Sequence, residues 1–356
     1  MTIKADSQPG LIRNFFTEYL CRVPIGSWPE YCVQDIAGRR SLLAKRSMSE
    51  LLAQFGRTHV WYLRYAWQFL TAPLRPKPTF FLMGFPKCGT TYLANRLMAR
   101  NDVGHPTSLA PLSKETFHYR KDQPIHAFMP IRGFYPLLSK ATHLIDASVS
   151  YSLDPGAMAL VKKDNPGARV VLAVRDQIGA FVSGINYYNV RLWRQTTEEL
   201  EFFNDPDMYR RFPMEKVYRA IAHSYDHQCS IMKSMQSPEI LKMLGEDAPV
   251  GRRFTPLVYD LWVGFHHEVF GRENVHVVDF ADLVSEPEQV VETVTNFLGM
   301  ENITDELAED KREFNKHTSR KVFTMAPEAK TALAELFHKH NENLLNMCGV
   351  NLNQHI

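Results

Sequence analysis

Several features that would place a chain in a common class are scarce in this sequence. The five cysteines are widely scattered, without a CxxC pair or a Cys/His cluster at zinc spacing, so neither a disulfide framework nor a metal site is indicated. Basic and acidic residues nearly balance, at 41 against 39, which excludes an extended nucleic-acid-binding surface. Internal repeats and low-complexity tracts are also absent. Any site for an anion must therefore be local.

The sequence also lacks an apolar run of membrane-spanning length. Its first twenty residues contain no signal-peptide core. The most apolar segment, residues 60–74, is interrupted by Arg64 and falls short of the roughly 20 apolar residues that a spanning helix needs. We therefore expect a soluble protein of a reducing, cytoplasmic compartment. A Golgi-lumenal chain that had lost a membrane anchor would have the same sequence.

Residues 1–75 are rich in aromatic and basic side chains, and we expect them to form a helical N-terminal extension. Ser47 and Glu50 have the spacing of a capping box, which predicts a helix over about 47–70. Two roles stay open for this helix: packing on the main domain, or peripheral contact with a membrane surface or a partner. Residues 76–356 then form the larger, second domain.

Beyond residue 78, short apolar runs alternate with helical patterns, as in an α/β fold. The continuously apolar residues 170–174 are typical of a parallel strand buried on both faces. We predict a P-loop-like core, a central and mostly parallel β-sheet flanked by helices, with the ligand at the carboxyl ends of the strands. The predicted strands lie within residues 79–85, 142–148, 168–175 and 274–280.

One loop carries the strongest local signal. In "GFPKCGTT", residues 84–91, the two glycines have the spacing of the triphosphate-binding pattern G-x-x-x-x-G-K-[ST], but the lysine lies inside the loop at position 87. A glycine loop between a strand and a helix offers backbone N–H groups and the helix dipole to an anion. A purely structural turn is the alternative. The predicted phosphate-binding residues are Lys87, Cys88, Gly89, Thr90 and Thr91.

This loop resembles the 5′-phosphosulfate-binding loop, P-K-[SAC]-G-T-[ST], of sulfotransferases that use 3′-phosphoadenosine 5′-phosphosulfate (PAPS). In that family the lysine lies inside the loop, as Lys87 does. The phrase with Phe85 and Cys88 is most similar to Golgi-type carbohydrate sulfotransferases that act on chondroitin and heparan chains. The resemblance implies PAPS as sulfuryl donor, 3′-phosphoadenosine 5′-phosphate (PAP) as product, and no metal.

A second motif concerns the 3′-phosphate of such a donor. Arg175 ends a buried apolar run, and Ser183 follows eight residues later, which resembles the family pattern R-D-P-…-S. The resemblance implies that Arg175 and Ser183 bind the 3′-phosphate, for which a guanidinium is suited by its forked donors. Gln177 replaces the proline of the pattern, and we expect that change to affect only the turn. A surface ion pair between Arg175 and Asp176 is the alternative.

A third motif, "SKETFHY" at residues 113–119, resembles the segment K-E-x-x-[FHW]-[FWY] of glycosaminoglycan sulfotransferases. By that resemblance Glu115 is the general base, and Lys114 lies beside donor and acceptor. A positioned carboxylate can take the proton of a hydroxyl as it attacks sulfur. His118 is the rival base, and a structural role is the third possibility. The family has its histidine one position earlier, which leaves the local register open.

A weaker fourth motif lies in residues 315–328, which resemble the basic loop that covers the cofactor in this family. The matching positions are Ser319, Arg320 and Lys321, although the usual glycine is missing. A solvated charge run is the alternative interpretation. The four motifs together span most of the chain.

The motifs predict a PAPS-dependent O-sulfotransferase whose acceptor is a carbohydrate hydroxyl, with a small hydroxylated metabolite as the alternative. A P-loop kinase or nucleotide triphosphatase is less compatible, although Asp146 could imitate its magnesium-binding acid. A catalytically silent nucleotide-binding protein is the third class. Arg191, Trp193, Arg194 and residues 202–211 form either a basic, aromatic rim for the acceptor or an ordinary solvated helix face.

Overall fold

A computed structural model of the 356-residue chain describes most of the sequence. The described residues are 13–14, 17–20, 43, 45–107, 114–120, 129–191, 197–235, 237–301 and 323–355. They divide into two compact units. Unit 1 draws on Met1–Lys77, Pro106–His118 and Gln123–Ser139, and unit 2 on Pro78–His105, Tyr119–Asp122 and Lys140–Ile356. The predicted boundary at residue 75 stays a prediction.

The main element of unit 1 is helix α1, Met48–Thr71. It begins at the predicted capping box: the Ser47 hydroxyl accepts the Glu50 N–H, and the Ser47 N–H donates to Glu50 Oε2 at 2.6 Å. These bonds satisfy two backbone donors at the helix start. Among the described residues, no helix combines the length and the apolar character that crossing a membrane requires.

Hydrogen bonds join the carboxyl end of α1 to two later segments of unit 1, around Thr107 and Tyr135. The Arg75 side chain donates to Thr71 Oγ1 at 2.9 Å and to the Tyr135 carbonyl. The Thr107 N–H donates to the Phe134 carbonyl, and Gln68 Nε2 donates to Thr107 Oγ1 at 3.1 Å. Segments that are distant in sequence therefore pack against one helix end.

Unit 2 is built on a five-stranded sheet in the order β2-β3-β1-β4-β5, and every pairing between described strands is parallel. The predicted α/β class with a central parallel sheet is confirmed. The strands are β1 (Phe80–Leu82), β2 (Val103–Gly104), β3 (His143–Asp146), β4 (Arg169–Val174) and β5 (Val275–Asp279). The short strand β2 was not predicted, because two residues carry no periodic pattern.

Helices connect and flank the strands. They are α2 (Thr90–Met98), α3 (Pro155–Asp164), α4 (Gln177–Arg191), α5 (Thr197–Phe202), α6 (Pro206–Arg211), α7 (Met214–Asp226), α8 (Ile231–Ser234), α9 (Pro238–Leu244), α10 (Ala248–Phe254), α11 (Tyr259–Phe270), α12 (Phe280–Ser285), α13 (Pro287–Leu298) and α14 (Pro327–Cys348). Short 3₁₀ turns occur at Ala72–Leu74, Ile131–Phe134, Val149–Leu153, Gly245–Asp247, Thr255–Leu257, Arg272–Asn274 and Leu352–His355.

One hydrophobic cluster joins β1 to the two helices that flank it. Phe80 and Leu82 of β1 pack with Leu93 of α2 and Val294 of α13. Parallel strands that are buried on both faces need such apolar cover. The register pairs Leu82, the last residue of β1, with Val171, and the adjacent β4 continues to Val174. The loops that follow these two strands are therefore neighbours.

Candidate functional site

The loop after β1 continues the pairing of that strand. The Met83 N–H donates to the Val171 carbonyl and the Phe85 N–H to the Ala173 carbonyl, both at 3.0 Å. Between them Gly84 has no room for a side chain, since a Cβ there would lie 2.5 Å from Thr90 Cγ2 and 2.7 Å from the Ala173 nitrogen. The first glycine of the loop is thus fixed by close approach of β4 and α2.

The turn itself uses left-handed backbone at two positions. Lys87 has φ +70° and Gly89 has φ +79°, a conformation that is uncommon for a lysine. Gly89 precedes α2 without any side-chain capping bond, so the first N–H groups of this helix keep their positive potential. A negatively charged ligand is the natural partner of such a helix start.

The Lys87 side chain packs against α4. Its Nζ lies 4.1 Å from the centroid of the Tyr187 ring, a cation–π distance. Tyr187 follows Ser183 by four residues, so both lie on one face of the helix. The lysine is half-buried at this point. The contact thus brings the loop lysine to the helix that carries the predicted 3′-phosphate serine.

Arg175 leaves the end of β4 beside the same loop. Its Nη1 donates to the Lys87 carbonyl at 3.4 Å, and its guanidinium lies 4.3 Å from the centroid of the Phe280 ring. The buried Nε has no hydrogen-bond partner among the described residues, although Asp176 Oδ2 lies 3.5 Å away. The predicted ion pair with Asp176 is therefore present but long. The Asp176 carboxylate does not satisfy all the hydrogen-bond donors of the guanidinium.

The Phe280 ring lies between Arg175 and the glycine loop. It begins α12 directly after β5, and its ring lies against both the Arg175 guanidinium and Gly89. A Cβ at Gly89 would lie 2.7 Å from Phe280 Cδ2. Phe280 and Tyr187 were not found from the sequence. Phe280 was taken only as the end of a predicted strand, and Tyr187 only as part of the helix after Arg175. The i+4 spacing of Tyr187 from Ser183 was the available signal.

Ser183 is half-exposed in α4, one turn beyond Gly179. Three residues further on, Asn186 accepts the Phe323 N–H at 2.7 Å and donates to the Phe323 carbonyl at 3.2 Å. The described C-terminal segment therefore starts against the helix that carries Ser183. The predicted clamp residues Ser319, Arg320 and Lys321 lie outside the described residues.

Cys88 points into the protein. Its Sγ is fully buried, 3.5 Å from both the Tyr259 hydroxyl and the Pro86 carbonyl. Burial raises the pKa of the Cys88 thiol to about 12, so the thiol stays protonated near neutrality. The side chain of Cys88 packs the loop. A role of Cys88 in ligand binding stays a prediction, and it would involve the backbone N–H of this residue.

Gln177 does more than shape the turn, which corrects the expectation for this position. Its side chain is buried at the first residue of α4, and its Nε2 donates to Asn341 Oδ1 at 2.6 Å. Asn341 lies in α14 and donates in turn to Asn353 Oδ1 at 3.0 Å. A proline could make none of these bonds. The residue that departs from the motif therefore ties α4 to the C-terminal helix.

Lys114 and Glu115 belong to unit 1, where they form a buried ion pair with Nζ and Oε1 2.5 Å apart. The next residues turn sharply: Phe117 has φ +52°, and the His118 N–H donates to Thr116 Oγ1 at 3.2 Å. His118 packs edge-on against the Phe134 ring at 6.1 Å. The ion pair holds the Glu115 carboxylate in a defined position, which a general base requires.

Asp146, at the end of β3, is committed to structural bonds. Its Oδ1 accepts from the Ser148 N–H and hydroxyl, and its Oδ2 accepts from the Tyr151 hydroxyl at 3.3 Å. The carboxylate is fully buried. These bonds give Asp146 a role in bracing the turn after β3, in place of the magnesium-binding role that a triphosphatase would need.

The segment of the predicted acceptor rim has mixed charge. Arg211 pairs with Asp207 at 3.1 Å, and the Arg253 guanidinium lies 5.0 Å from the Phe203 ring centroid. A cavity of about 250 Å³ is lined by Phe202, Asp205, Asp207, Met208, Arg211, Phe212, Asp247 and Val250. The cavity lining is thus at least as acidic as basic. Trp193, Arg194 and the Arg191 side chain lie outside the described residues.

The parallel sheet, with a glycine loop beside Arg175 at its strand ends, defines an α/β protein. A family model described as the sulfotransferase domain matches residues 77–350, and the chain belongs to this family. It is therefore a transferase of the sulfotransferase class. No curated protein sequence is significantly similar to the chain.

Solved structures of sulfotransferases are similar to the chain. A sulfotransferase from Alicyclobacillus acidocaldarius is 18% identical, with a TM-score of 0.47 over 76% of this chain and 96% of its own. A sulfotransferase domain from the curacin biosynthetic pathway is 12% identical, with a TM-score of 0.34 over 74% and 98%. A sulfotransferase domain from the Synechococcus PCC 7002 olefin synthase is 16% identical, with a TM-score of 0.33 over 74% and 95%.

Proposed function

We propose that this chain transfers a sulfuryl group from PAPS to a hydroxyl of a carbohydrate acceptor, releasing PAP. The observation that carries the proposal is that the Arg175 guanidinium lies against the glycine loop that contains Lys87 and leads into α2. Lys87 and Arg175 come from the ends of neighbouring parallel strands, and Arg175 Nη1 donates to the Lys87 carbonyl. Phosphorylated nucleotides bind at this edge of a parallel sheet.

The residues present fit a donor with two separate phosphate groups. Gly84 and Gly89 let the loop pack closely against its neighbours, and the buried Arg175 Nε lacks a hydrogen-bond partner among the described residues. In our proposal Lys87, Thr90 and Thr91 hold the 5′-phosphosulfate, and Arg175 holds the 3′-phosphate with Ser183. When bound, PAPS supplies a sulfuryl group whose bond to the phosphate oxygen breaks during transfer.

The chain contributes positioning and electrostatics to the reaction. Lys87 and the N–H groups at the start of α2 stabilise negative charge that grows on the leaving phosphate. Glu115 removes the proton of the acceptor hydroxyl, a role that rests on its place in the "KE" motif. The paired Lys114 fixes the Glu115 carboxylate. His118 is the alternative base, and Ser319, Arg320 and Lys321 are the proposed clamp.

Ligand binding tests the donor assignment. PAP should raise the melting temperature, because a ligand of the folded state stabilises by mass action, and ATP with Mg²⁺ should raise it less. Lys87→Met should weaken the response to PAP, since it removes the charge and keeps the chain length. Lys242→Ala, at an exposed lysine of α9, is the control and should behave like the wild type. Stabilisation by ATP with Mg²⁺ alone would exclude the proposal.

Glu115→Gln separates chemistry from donor binding. The variant should keep the affinity for PAP and lose about 10²- to 10⁴-fold in transfer rate, the usual contribution of a general base. Transfer is measured with a sulfur-labelled donor, and PAP affinity by calorimetry. His118→Gln is the matched variant and should retain most of the rate. If the two variants exchange these phenotypes, His118 is the base.

The acceptor class is tested with a panel. Labelled transfer to neutral and anionic polysaccharides is compared with transfer to small alcohols and phenols at equal hydroxyl concentration. We expect carbohydrate to be the better acceptor, as the resemblance of residues 84–91 to carbohydrate sulfotransferases suggests. Incorporation into small alcohols alone would remove the carbohydrate part of the proposal and keep the sulfotransferase part.

A further inference from the structure

Helix α1 buries one side and exposes an apolar row on the opposite side. The buried residues Leu51, Gln54, Thr58 and Trp61 are spaced by three and four positions. A surface helix normally turns polar residues outward from its buried face. Here the opposite side carries an apolar row, which we call the outer stripe: Leu52, Val60, Leu63, Trp67 and Leu70.

The outer stripe is strongly exposed. Leu63 is 72% exposed, Trp67 58% and Leu70 73%. Eight of the thirteen large apolar side chains that are exposed in the described part of the chain lie between Leu52 and Leu74. Exposed apolar residues elsewhere in that part are scattered singly, which is normal for a protein surface. A concentration along one helix marks a surface that is covered by something else.

The charges beside the stripe indicate what covers it. Arg57 and Arg64 are both exposed and, being seven residues apart, follow the same edge of the stripe. Arg57 is held by Gln54, whose Oε1 accepts from its guanidinium at 2.7 Å. The one acidic residue of α1, Glu50, lies in the first turn and caps the helix. Along this edge the two exposed arginines outnumber the single carboxylate, which is engaged in the cap at the helix start.

This charge pattern favours an anionic lipid surface over a second copy of the chain. Two antiparallel α1 helices paired through the outer stripe would bring four arginines to one interface, with only the two Glu50 carboxylates, already bonded within the helix caps, to offset them. An exposed apolar row on a helix can also enter a bilayer interface directly, without a complementary groove in a partner. Tryptophan and arginine suit that interface, because each has an apolar part and a polar end.

We propose that α1 lies in the interface of a membrane rich in anionic lipid, with the outer stripe among the acyl chains and Arg57 and Arg64 at the headgroups. The helix lies flat on the surface, since it is too polar to span the bilayer. The proposal does not depend on the sulfuryl-transfer assignment, because it concerns a surface formed within unit 1.

Vesicle binding tests the proposal. The full chain is mixed with vesicles of phosphatidylcholine that contain roughly 30% phosphatidylserine, or none, and bound protein is separated by sedimentation. Binding should require phosphatidylserine and should decrease between about 0.1 and 0.5 M NaCl, because salt screens the arginines. Arg64→Gln should weaken binding and lower its salt dependence.

A matched pair of variants tests whether vesicle binding needs the outer stripe in particular or any exposed leucine. Leu63→Gln, Trp67→Gln and Leu70→Gln together should reduce vesicle affinity at least about tenfold, because three inserted side chains are lost. Leu241→Gln with Leu345→Gln changes exposed leucines on α9 and α14 and should leave the affinity unchanged. Far-ultraviolet dichroism and the melting temperature confirm that both variants fold.

Three results would overturn the proposal. The first is a wild-type chain that stays in the supernatant with anionic vesicles, and the second is a triple variant that sediments as well as the wild type. The third is a wild-type dimer, seen by light scattering after gel filtration, that the triple variant abolishes while neither protein binds vesicles. That third outcome would make the outer stripe a self-association surface.

Discussion

Lys87 occupies an uncommon position for a functional lysine, because its own backbone is left-handed. The side chain of a left-handed residue leaves the loop in a direction that the usual right-handed turn does not provide. Here that direction leads to the face of Tyr187, 4.1 Å from Nζ. The aromatic ring thereby limits where the ammonium lies before an anion arrives. Preorganised charge is more effective than charge that must be repositioned.

Tyr187 should therefore act as a positioning residue for Lys87. Tyr187→Leu removes the ring, and we expect PAP affinity to fall about two- to fivefold, the size of an exposed cation–π contact. Tyr187→Phe keeps the ring and should retain the affinity. Calorimetric titration with PAP gives both values. Equal losses in the two variants would assign the effect to the hydroxyl and contradict the positioning role.

At the scale of elements, the polar pair Gln177–Asn341 links the start of α4 to α14. Both side chains are buried, and their amides exchange hydrogen bonds at 2.6 and 3.2 Å. Arg175 lies in the turn between β4 and α4, two residues before Gln177. The bonds from Gln177 to α14 therefore hold the backbone next to Arg175. If one amide of the pair is removed, the other stays buried without a hydrogen-bond partner and destabilises the fold. The effects of the two substitutions on the free energy of unfolding should therefore not be additive.

A double-mutant cycle measures this link. Gln177→Ala and Asn341→Ala should each lower the free energy of unfolding by about 1–3 kcal/mol, and the double variant should lose less than the sum. Urea denaturation supplies the values. The exposed pair Asp207 and Arg211 is the control, for which a coupling of about 0.5 kcal/mol or less is expected. Additive losses at Gln177 and Asn341 would contradict the link.

For the whole molecule, acid sensitivity is expected from a histidine in α11. His266 is fully buried, its Nδ1 lies 2.7 Å from the Trp262 carbonyl, and burial lowers the pKa of His266 to about 4. The unfolded chain takes up this proton near pH 6.5, the folded protein only near 4. Protons therefore favour unfolding between these values. The contribution of neutral His266 to the free energy of unfolding is fully present above about pH 6.5 and declines below that pH.

This linkage predicts a loss of about 3 kcal/mol between pH 6.5 and 4 from His266 alone. His266→Gln cannot titrate, and its unfolding free energy should depend less on pH in that window. Urea denaturation at several pH values measures both slopes. Burial also lowers the pKa of His276, so a smaller slope should remain. Identical slopes in variant and wild type would contradict the prediction.

The sequence predicted the parts that local pattern encodes. Four of the five strands, the helix starts near Thr90 and Gln177, and the capping box at Ser47 follow from periodicity and spacing, and the structure confirms them. Phe280 and Tyr187 were not predicted, because their role depends on which strand ends and helix faces meet. The partner of Gln177 was missed for the same reason: Asn341 is 164 positions away.

The strand order has a consequence for how the protein is made. β1 lies at the centre of the sheet, yet Phe80 pairs with Ile145 and Arg169, and Phe280 follows only after β5. An emerging chain therefore exposes its glycine loop long before the strands that shape it have been synthesised. Such distant pairings make folding slow. Arg175 and Phe280 join the loop only late in synthesis, so a ligand that needs all three would bind only chains that have finished their sheet.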